Sequence, residues 1–237
     1  LGLNDPPENL EDVFTLPGHG LEIAGNIGTE EPDLEAVKAS RPDQSGCFLG
    51  PNVIELCRMA DITFLGLHGG EGENGKLQAT FDLLGIRYTG PDSLGCAVAM
   101  DKGFTKQVFL QSGVSTPDGV CLHKNQADRS LTSLGLSLPV VVKPCSGGSS
   151  IGVYIVNTEA EYKDALEKSF RYEDEVVVET YIKGREFACG IIDGEALPPI
   201  EIIPKKGFFD YANKYQDGAT EEVCPADISE EISDRMK

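Results

Sequence analysis

A lysine followed by a glycine- and serine-rich loop is the segment of this chain best suited to bind a phosphate group. The β-branched run Val140–Val142 ends in Lys143, the loop Ser146–Ser150 follows, and a second β-branched run covers Ile151–Val156. Glycine has no Cβ, so the backbone amides and serine hydroxyls of such a loop can approach phosphate oxygens closely. In a P-loop a helix follows the glycines, whereas here a strand follows. The pattern therefore predicts a hairpin that lies over a nucleotide, the alternative being an ordinary glycine–serine hairpin.

Two further groups of polar residues are placed where they could contact a ligand. His68 comes at the end of a predicted strand and opens the run His-Gly-Gly-Glu-Gly-Glu-Asn-Gly, which ends at Gly75. Glu179 ends another predicted strand, and Glu186 follows a turn at Gly184, so their carboxylates could accept hydrogen bonds along a nucleoside. The alternative for the glutamates is a solvated acidic strand end, and a lone histidine is more often structural.

The histidine loop lies inside a predicted βαβ unit. Ile62–Leu67 is predicted to be a buried parallel-type strand, because its run is almost continuously apolar. A helix over Lys76–Leu84 and a short strand over Ile86–Thr89 follow. Such units bind ligands at the carboxyl ends of their strands, which is where the histidine loop begins. A further helix is predicted over Asn52–Met59, just before this unit.

The second half of the chain mixes strands with helices. The predicted elements are, in order, helix Asp101–Gln111, strands Gly119–Leu122, Val140–Val142 and Ile151–Val156, helix Glu159–Phe170, strand Val176–Glu179, hairpin Gly190–Leu197, strand Ile200–Ile203, the polar and aromatic loop Phe208–Gly218, and a last helix capped by Asp227 or Ser229. The pair Asp193-Gly194 is a strong signal for the tip of the hairpin. The alternative for the aromatic loop is a surface segment without function.

Composition and charge limit the classes of partner. The 237 residues are 40% hydrophobic and 25% charged, which is typical of a soluble globular protein. A net charge of -19 argues against binding to nucleic-acid backbones and to anionic membrane surfaces. No run approaches the roughly 20 apolar residues that a membrane helix needs. An acidic protein can still bind a nucleotide where lysines gather, and Lys102, Lys143 and Lys214 are candidates for this.

The seven cysteines are scattered along the chain, and none forms a Cys-x-x-Cys pair. This distribution disfavours both a zinc site and a disulfide framework, and it is typical of a protein from a reducing cytoplasm. Cys145 lies inside the glycine–serine segment without a histidine nearby in sequence to activate its thiol, so we interpret it as a small filler side chain.

Five motifs occur in a fixed order along the chain: His68–Gly75, Met100–Lys102, the Lys143 loop, Val178–Glu186 and Phe208–Tyr215. Together and at these spacings they closely resemble the D-alanine:D-alanine ligases of the ATP-grasp superfamily, over about residues 61–228. The resemblance implies an α/β (α+β) architecture, an ATP-grasp fold preceded by a Rossmann-like pre-ATP-grasp domain, with its C-terminal part truncated. The implied domains are 1–91, of which 1–60 is uncertain, 92–178 with the glycine–serine lid loop, and 179–237, which is incomplete.

The resemblance also implies roles for individual residues. Lys102 and Lys143 are expected to contact the ATP phosphates, and Lys214 the γ-phosphate. Glu179 is expected to accept from the adenine amino group and Glu186 to hold the ribose hydroxyls. The implied ATP-binding set is Lys102, Lys143, Ser149, Ser150, Glu179, Glu186 and Lys214, with Phe208 packed on the adenine and the backbone around Tyr181 and Ile182 at the ring edge. The implied substrate-binding set is His68, Glu73 and Gly75, and the implied catalytic set is Ser149, Lys214 and Tyr215, with a hydrogen bond from Tyr215 to Ser149 across the site.

The reaction implied by the resemblance joins two D-alanines into D-alanyl-D-alanine, a peptidoglycan precursor. ATP first converts one carboxylate into an acyl phosphate, and the amine of the second D-alanine then displaces phosphate. The implied cofactors are ATP and Mg²⁺ or Mn²⁺, and the implied setting is a cytoplasmic homodimer that binds neither nucleic acid nor membrane.

Three other functions are alternatives, and the first of them shares nearly all of these motifs. The chain could belong to a D-alanine:D-lactate or D-alanine:D-serine ligase, to another carboxylate–amine ligase of the superfamily, or to a non-catalytic nucleotide-binding protein. Tyr215 favours the dipeptide ligase, because a neutral phenol beside the second substrate does not repel an ammonium group. The run that starts with His68 speaks against the other carboxylate–amine ligases.

The sequence departs from the family pattern at both ends. It shows no counterpart of the metal ligands, a carboxylate and a Glu-x-Asn near the C-terminus. The expected metal set within the chain is therefore none, and the family's ligands are expected to lie beyond Lys237, the last residue. The N-terminal Gly-Gly-x-Ser-x-Glu loop is also missing, and His19 is predicted to be a surface residue instead. These departures predict that the sequence is partial and that the 237 residues alone are inactive.

Overall fold

The computed structural model describes residues 8–15, 33, 36, 39–40, 44 and 46–237. His19 and most of the segment before residue 46 lie outside these residues. The described helices are a 3-10 helix over Leu10–Phe14, α1 Val53–Met59, α2 Gly70–Glu73, α3 Lys76–Leu84, α4 Ser93–Met100, α5 Lys102–Gln111, α6 Glu159–Ser169, α7 Tyr211–Tyr215 and α8 Glu230–Met236. The strands are β1 Gly119–His123, β2 Val140–Pro144, β3 Tyr154–Val156, β4 Glu175–Thr180, β5 Glu186–Ala188, β6 Ile191–Ile192, β7 Glu195–Ala196, β8 Ile200–Pro204 and β9 Thr220–Val223.

The centre of the molecule is a four-stranded antiparallel sheet with the order β1-β4-β2-β3. Helix α6 packs on one face of this sheet, as the apolar stripe that contains Tyr162 and Leu166 predicts. Its N-terminus is fixed by a capping box between Thr158 and Glu161, in which each side chain bonds the other residue's backbone amide. The core beneath it consists of Leu122, Leu131, Val140, Val142, Val156, Tyr162, Ala165, Leu166, Val176 and Val178.

The opposite face of the same sheet carries polar side chains. In the strand register Val141 pairs with Glu179, Lys143 with Val177, and Cys121 also with Val177. Cross-strand partners project to the same face of a sheet, so Lys143, Glu179 and Cys121 share the face away from α6. We call this the polar face. Helix α5 approaches it, since Lys106 of that helix forms an ion pair with Glu179.

The C-terminal part forms a smaller antiparallel sheet with the order β5-β8-β9 and a separate two-stranded hairpin, β6 and β7. The hairpin turns at Asp193 and Gly194, whose φ angles are 51° and 80°, and this confirms the predicted tip. Ser229 caps the last helix by accepting from the amide of Ile232, so Ser229 and not Asp227 is the cap. Strand β9 and helix α7 lie in segments for which no regular structure was predicted.

The two strands predicted in the N-terminal part, Ile62–Leu67 and Ile86–Thr89, are not regular strands, and only an isolated bridge joins them. The segment Ile62–Leu67 is not a buried strand: only Thr63 forms a bridge, parallel to Tyr88, and the side chain of Phe64 is 82% exposed. Leu65 and Leu67 pack against the small apolar core around α3, whereas the residues that alternate with them are exposed. Helix α4 was not predicted, although Asp92 caps it by accepting from the amide of Gly95 at 2.7 Å. No helix in the described ranges is long and apolar enough to cross a membrane.

Candidate functional site

A cleft of about 530 Å³ lies between the polar face of the central sheet and the segment around α7. All of the residues predicted to bind ATP line this one cleft, although they come from four separate stretches of the chain. They are Lys102, Lys143, Ser149, Ser150, Glu179, Tyr181, Ile182, Glu186, Phe208 and Lys214. The fold therefore brings the predicted set together, while the contact that each member makes with a nucleotide stays a prediction.

In the cleft, Glu179 forms ion pairs with two lysines. One carboxylate oxygen pairs with Lys143 and the other with Lys106 at 2.9 Å, and the residue is 8% exposed. Burial by itself raises the pKa of Glu179, but the two lysines outweigh burial and lower it below its ordinary value. Glu179 is thus held as an anion with spare lone pairs, which suits the acceptor role predicted for it.

Lys106 was not singled out by the sequence, because a lysine in the middle of a helix is usually solvated. Here its side chain is 6% exposed and its ammonium group donates to the hydroxyl of Thr116 at 3.0 Å and to the carbonyl of Pro117 at 2.5 Å. Together with Glu179 these partners satisfy all three ammonium protons. Lys106 therefore supports the cleft from behind and is not among its lining residues.

Lys102 anchors the start of the glycine–serine loop. Its ammonium group donates to the carbonyls of Cys145, at 3.2 Å, and Gly147, and its backbone amide donates to the same Cys145 carbonyl at 2.9 Å. Burial lowers the pKa of Lys102, and the nearby charge of Lys143 lowers it further. Two cations that repel each other inside a cleft make it attractive to a polyanion such as a triphosphate.

The glycine–serine loop is closed over the cleft by two hydrogen bonds to the segment opposite. The hydroxyl of Ser149 lies 2.7 Å from that of Tyr215, and the hydroxyl of Ser150 donates to the carbonyl of Phe209 at 2.8 Å. The hydrogen bond predicted between Ser149 and Tyr215 is thus confirmed. Both serines have left-handed backbone conformations, with φ of 52° and 59°. We call residues Ser146–Ser150 the lid.

Helix α7 positions the residues that face the lid. Asp210 caps this helix by accepting from the amide of Asn213 at 2.9 Å, which sets Lys214 and Tyr215 in its last turn. The ammonium group of Lys214 lies 5.1 Å from the centre of the Phe209 ring. Burial lowers the pKa of Lys214, while the negative charge of Glu186 acts in the opposite direction.

One hydrogen bond limits which of the predicted backbone groups can face an adenine ring. The amide of Tyr181 donates to the carbonyl of Pro139 at 3.1 Å, so it is already engaged within the sheet. The carbonyl of Tyr181 and the amide of Ile182 are then the groups of this pair that suit the ring edge. Both residues line the cleft at the end of β4.

A second cavity of about 450 Å³ adjoins the cleft and shares Lys102 and Gly147 with it. Of the three residues predicted to bind substrate, Glu73 lines this cavity, whereas His68 and Gly75 are not among its lining residues. Glu73 accepts a hydrogen bond from the amide of Gly69 and so closes the histidine loop on itself. The second cavity thus meets the cleft where Lys102 contacts the start of the glycine–serine loop.

Gly75 has a structural reason to be glycine. Its φ is +88°, and a Cβ at this position would lie 2.2 Å from the carbonyl oxygen of Ser93, which belongs to the backbone of α4. We expect Gly75→Ala to lower the free energy of unfolding by about 3 kcal/mol, because both the left-handed backbone and the clash oppose it. Gly85→Ala is the matched control, since φ there is +66° but nothing lies within 4 Å of the added Cβ. Urea unfolding of both variants measures the difference, and equal losses would contradict the clash.

Arg185 also lines the cleft and was not predicted. Its guanidinium group makes two hydrogen bonds to the buried carboxylate of Glu201, both of 2.6 Å, and one to the carbonyl of Asp227 at 3.0 Å. The hydrogen bonds from Arg185 are the main cause that lowers the pKa of Glu201. This pair ties the turn before β5 to β8, and thereby fixes the wall of the cleft on which Glu186 stands.

The described residues offer one cluster with the donor atoms of a metal site. It consists of Cys121, Cys145 and Glu175, whose ligand atoms all lie within 4.8 Å of one another. Mg²⁺ prefers oxygen ligands in octahedral geometry and does not suit two thiols. Within the described ranges, therefore, no set of side chains fits the magnesium ion that the family resemblance implies.

The chain end at Lys237 contributes nothing to such a site. The ammonium group of Lys237 lies 3.6 Å from a carboxylate oxygen of Asp234, one turn earlier along α8, and both side chains are open to solvent. A cation at this position repels a metal ion and does not bind one. The expectation that the magnesium ligands lie beyond Lys237 concerns residues outside the sequence, so it stays a prediction.

Comparison with protein families gives two matches along the chain. Residues 19–91 match the family model described as D-ala D-ala ligase N-terminus, and residues 110–237 match the one described as D-ala D-ala ligase C-terminus. The D-alanine–D-alanine ligase of Pediococcus pentosaceus is 42% identical over 233 residues, which are 97% of this chain and 65% of the relative. That of Lacticaseibacillus casei is 38% identical over 240 residues, which are 100% of this chain and 66% of the relative. The chain thus spans somewhat less than two thirds of the length of these relatives.

Solved structures resemble the same part of the molecule. A D-alanine–D-alanine ligase of Bacillus anthracis has a TM-score of 0.68 at 41% identity, covering 78% of this chain and 60% of that one. The enzyme from the same organism in complex with ATP has a TM-score of 0.65 at 37% identity, covering 78% and 59%. The VanG D-Ala:D-Ser ligase of Enterococcus faecalis also has a TM-score of 0.65, at 34% identity, covering 75% and 53%. The fold is therefore the mixed α/β ATP-grasp fold that these enzymes share.

Proposed function

Because this chain belongs to the D-alanine–D-alanine ligase family, we propose that the complete protein joins two D-alanines with ATP as the energy source. The product is D-alanyl-D-alanine for peptidoglycan precursors. The observation that carries the proposal is the cleft, in which three lysines and a closed lid surround a space suited to a triphosphate. The Bacillus anthracis enzyme in complex with ATP resembles 78% of this chain, which supports ATP as the nucleotide here.

The two chemical steps are those that the family resemblance implies. A carboxylate oxygen of the first D-alanine attacks the γ-phosphorus, the bond to the bridging oxygen breaks, and ADP leaves with that electron pair. The second D-alanine, once its ammonium group has given up a proton to solvent, attacks the acyl carbon with its amine and expels phosphate, and the new amide nitrogen then releases its extra proton. Lys102, Lys143 and Lys214 stabilise the negative charge spread over the phosphoryl oxygens, and positioning by these fixed groups does most of the work in phosphoryl transfer.

The lid has a separate role, which is to keep water away from the acyl phosphate. Water can attack the acyl carbon in place of the amine of the second D-alanine, so closure favours dipeptide over hydrolysis. The hydrogen bonds made by Ser149 and Ser150 hold the lid in this closed position. The adjoining second cavity, lined by Glu73, would hold the first amino acid beside the γ-phosphate.

Further parts of the proposal concern the state of the protein. We propose the domains 1–91, 92–178 and 179–237, a cytoplasmic location and a homodimer without nucleic-acid or membrane partners. Mg²⁺ or Mn²⁺ is proposed as the counter-ion of the ATP phosphates, where it would neutralise charge during transfer, with ligands from beyond Lys237. Since the described side chains provide no suitable donor set for it, every step above is assigned to the residues of the chain alone.

The activity is tested by following ADP release and dipeptide formation together in the full-length protein. We expect both to require D-alanine, and we expect Tyr215→Phe to raise the ratio of phosphate to dipeptide at least threefold. The phenylalanine ring keeps the packing of α7 but loses the hydrogen bond that closes the lid at Ser149. Tyr211→Phe is the matched control, because it removes a hydroxyl from the same helix without breaking that bond. ATP hydrolysis that ignores D-alanine would refute the proposed reaction.

A D-alanine:D-serine or D-alanine:D-lactate ligase is the second candidate, supported by the similarity to the VanG enzyme. These ligases share the first step and differ in the second substrate: D-serine, like D-alanine, attacks the acyl carbon with its amine, whereas D-lactate attacks with its hydroxyl. The neutral phenol of Tyr215 favours an amino acid, which arrives as a cation, over a hydroxy acid. Competition of D-alanine with D-serine and D-lactate for the full-length protein decides between them.

A further inference from the structure

Two thiols and a carboxylate meet on the polar face beside the lid, and the proposed reaction uses none of them. The sulfur atoms of Cys121 and Cys145 are 3.1 Å apart, and a carboxylate oxygen of Glu175 completes a set whose atoms all lie within 4.8 Å. Cys145 is 3% exposed, whereas Cys121 and Glu175 are open to solvent. The group is therefore half inside the protein and accessible from one side.

The strand pairing explains why residues so distant in sequence come together. Cys121 of β1 pairs with Val177 of β4, and the amide of Cys145, just after β2, donates to the carbonyl of Glu175 at 3.2 Å. Strand β4 lies between β1 and β2 in the sheet, so the two cysteines approach each other across it. All three side chains project from the face that also carries Lys143 and Glu179.

The charges around the two sulfurs are mainly negative. The hydrogen bond with Cys145 lowers the pKa of Cys121, while burial and the charges of Glu175, Asp101 and Glu173 act in the opposite direction. Asp101 and Glu173 act in the same direction on Cys145. The nearby cation is Lys102, which donates to the carbonyl of Cys145 and has its pKa lowered by burial. A dication placed between the sulfurs would be attracted by the surrounding carboxylates.

We propose that Cys121, Cys145 and Glu175 bind a soft divalent cation of the Zn²⁺ or Cd²⁺ class. Such ions take thiolate and carboxylate ligands in tetrahedral geometry, with about 2.3 Å from metal to sulfur and so roughly 3.7 Å between sulfurs. The thiols need only separate by about 0.6 Å, and the exposed Glu175 can move to complete the third position. Binding releases the two thiol protons to solvent, and water occupies the fourth position.

A disulfide is the alternative outcome for this pair. Disulfide formation with a peroxide or a small disulfide as oxidant begins with attack by a thiolate. The neighbouring acidic side chains attract a dication, and a bound dication neutralises the thiolates, which favours the metal-bound form. The location also matters, because the site ties β1 and the start of β4 to the residue from which the lid begins.

The test uses the full-length protein, reduced with a phosphine and stripped of metal with a chelator, and titrates it with Cd²⁺. The ultraviolet charge-transfer band of cadmium thiolate should appear and saturate at one equivalent. Cys121→Ser should weaken binding at least tenfold, or about 1.4 kcal/mol. Glu175→Gln, a change at an exposed side chain, should weaken it severalfold. Because nucleotide turnover is not the readout, failure of this site leaves the ligase proposal untouched.

Cys189→Ser is the matched control for the titration. Its thiol donates to the carbonyl of Leu197 at 3.1 Å and belongs to the hairpin region, so Cd²⁺ binding should be unchanged. Saturable binding that survives both Cys121→Ser and Glu175→Gln would overturn the assignment. Rapid oxidation of the two thiols to a disulfide in air, with no Cd²⁺ binding by the reduced protein, would also overturn the assignment, because it identifies a redox pair.

Discussion

Lys106→Met should lower the free energy of unfolding by about 3 kcal/mol, the lower end of the cost of removing one partner from a buried ion pair. The lysine lies behind the cleft, 6% exposed, and its three protons are all engaged by protein oxygens. Methionine fills a similar volume but leaves Glu179 with Lys143 alone and the carbonyl of Pro117 without its donor. The lower end applies because Lys143 remains to neutralise the carboxylate.

Urea unfolding followed by far-ultraviolet circular dichroism measures this loss. Lys124→Met is the matched control, because Lys124 pairs with Asp174 at the surface, where such pairs contribute at most about 1 kcal/mol. The pKa of Glu179 is lowered in the folded protein, so its ion pairs stabilise above the unfolded pKa and are lost as the pH falls through the folded one. The difference between wild type and Lys106→Met should therefore shrink in acid. A cost no larger than that of the control would contradict the structural role of Lys106.

Lys143→Ala should weaken ATP binding to the full-length protein at least tenfold, which corresponds to about 1.4 kcal/mol. Lys143 stands at the end of β2, lines the cleft and faces Lys102, so it supplies charge where the phosphates are proposed to lie. The loss of stability should be smaller than that of Lys106→Met, because Glu179 keeps its more deeply buried partner. Lys143→Ala is thus expected to affect mainly ATP binding, and Lys106→Met mainly the stability of the fold.

Isothermal titration calorimetry with ATP and with ADP measures the effect. Lys168→Ala provides the control, since this lysine pairs with Asp164 on α6, the helix packed on the opposite face of the sheet. An unchanged affinity for both nucleotides would remove Lys143 from the phosphate site. A loss confined to ATP would place it specifically at the γ-phosphate.

The central sheet and its helix were predictable because local signals agree with the tertiary structure there. The strands β2 and β4 carry β-branched runs, and α6 shows both an apolar stripe and a capping pair in the sequence. The predicted ATP-binding residues of the cleft were also within reach, since each of them belongs to a motif with its own spacing. Such regions can be predicted from the sequence because the local conformational preferences of their residues agree with the tertiary packing.

The features that were missed depend on contacts between distant segments. Lys106 becomes a buried cation only because α5 lies against β4, and nothing in its own helix indicates this. Cys121 and Cys145 meet only through the order of the strands. Helix α4 has a cap at Asp92, but its small apolar residues show no clear amphipathic period. The apolar run at Phe64 predicts burial, yet the described residues leave that side chain open.

The left-handed serines of the lid bear on how firmly it stays closed. A non-glycine residue in this conformation costs roughly 1 to 2 kcal/mol, so the consecutive Ser149 and Ser150 together cost about 2 to 4 kcal/mol. The two hydrogen bonds that they form across the cleft return about 1 kcal/mol each, which offsets only the lower end of that cost. We therefore expect the closed lid to depend on a ligand. If the proposed triphosphate binds, its contacts with the loop supply the remaining free energy, and they are lost when the products leave.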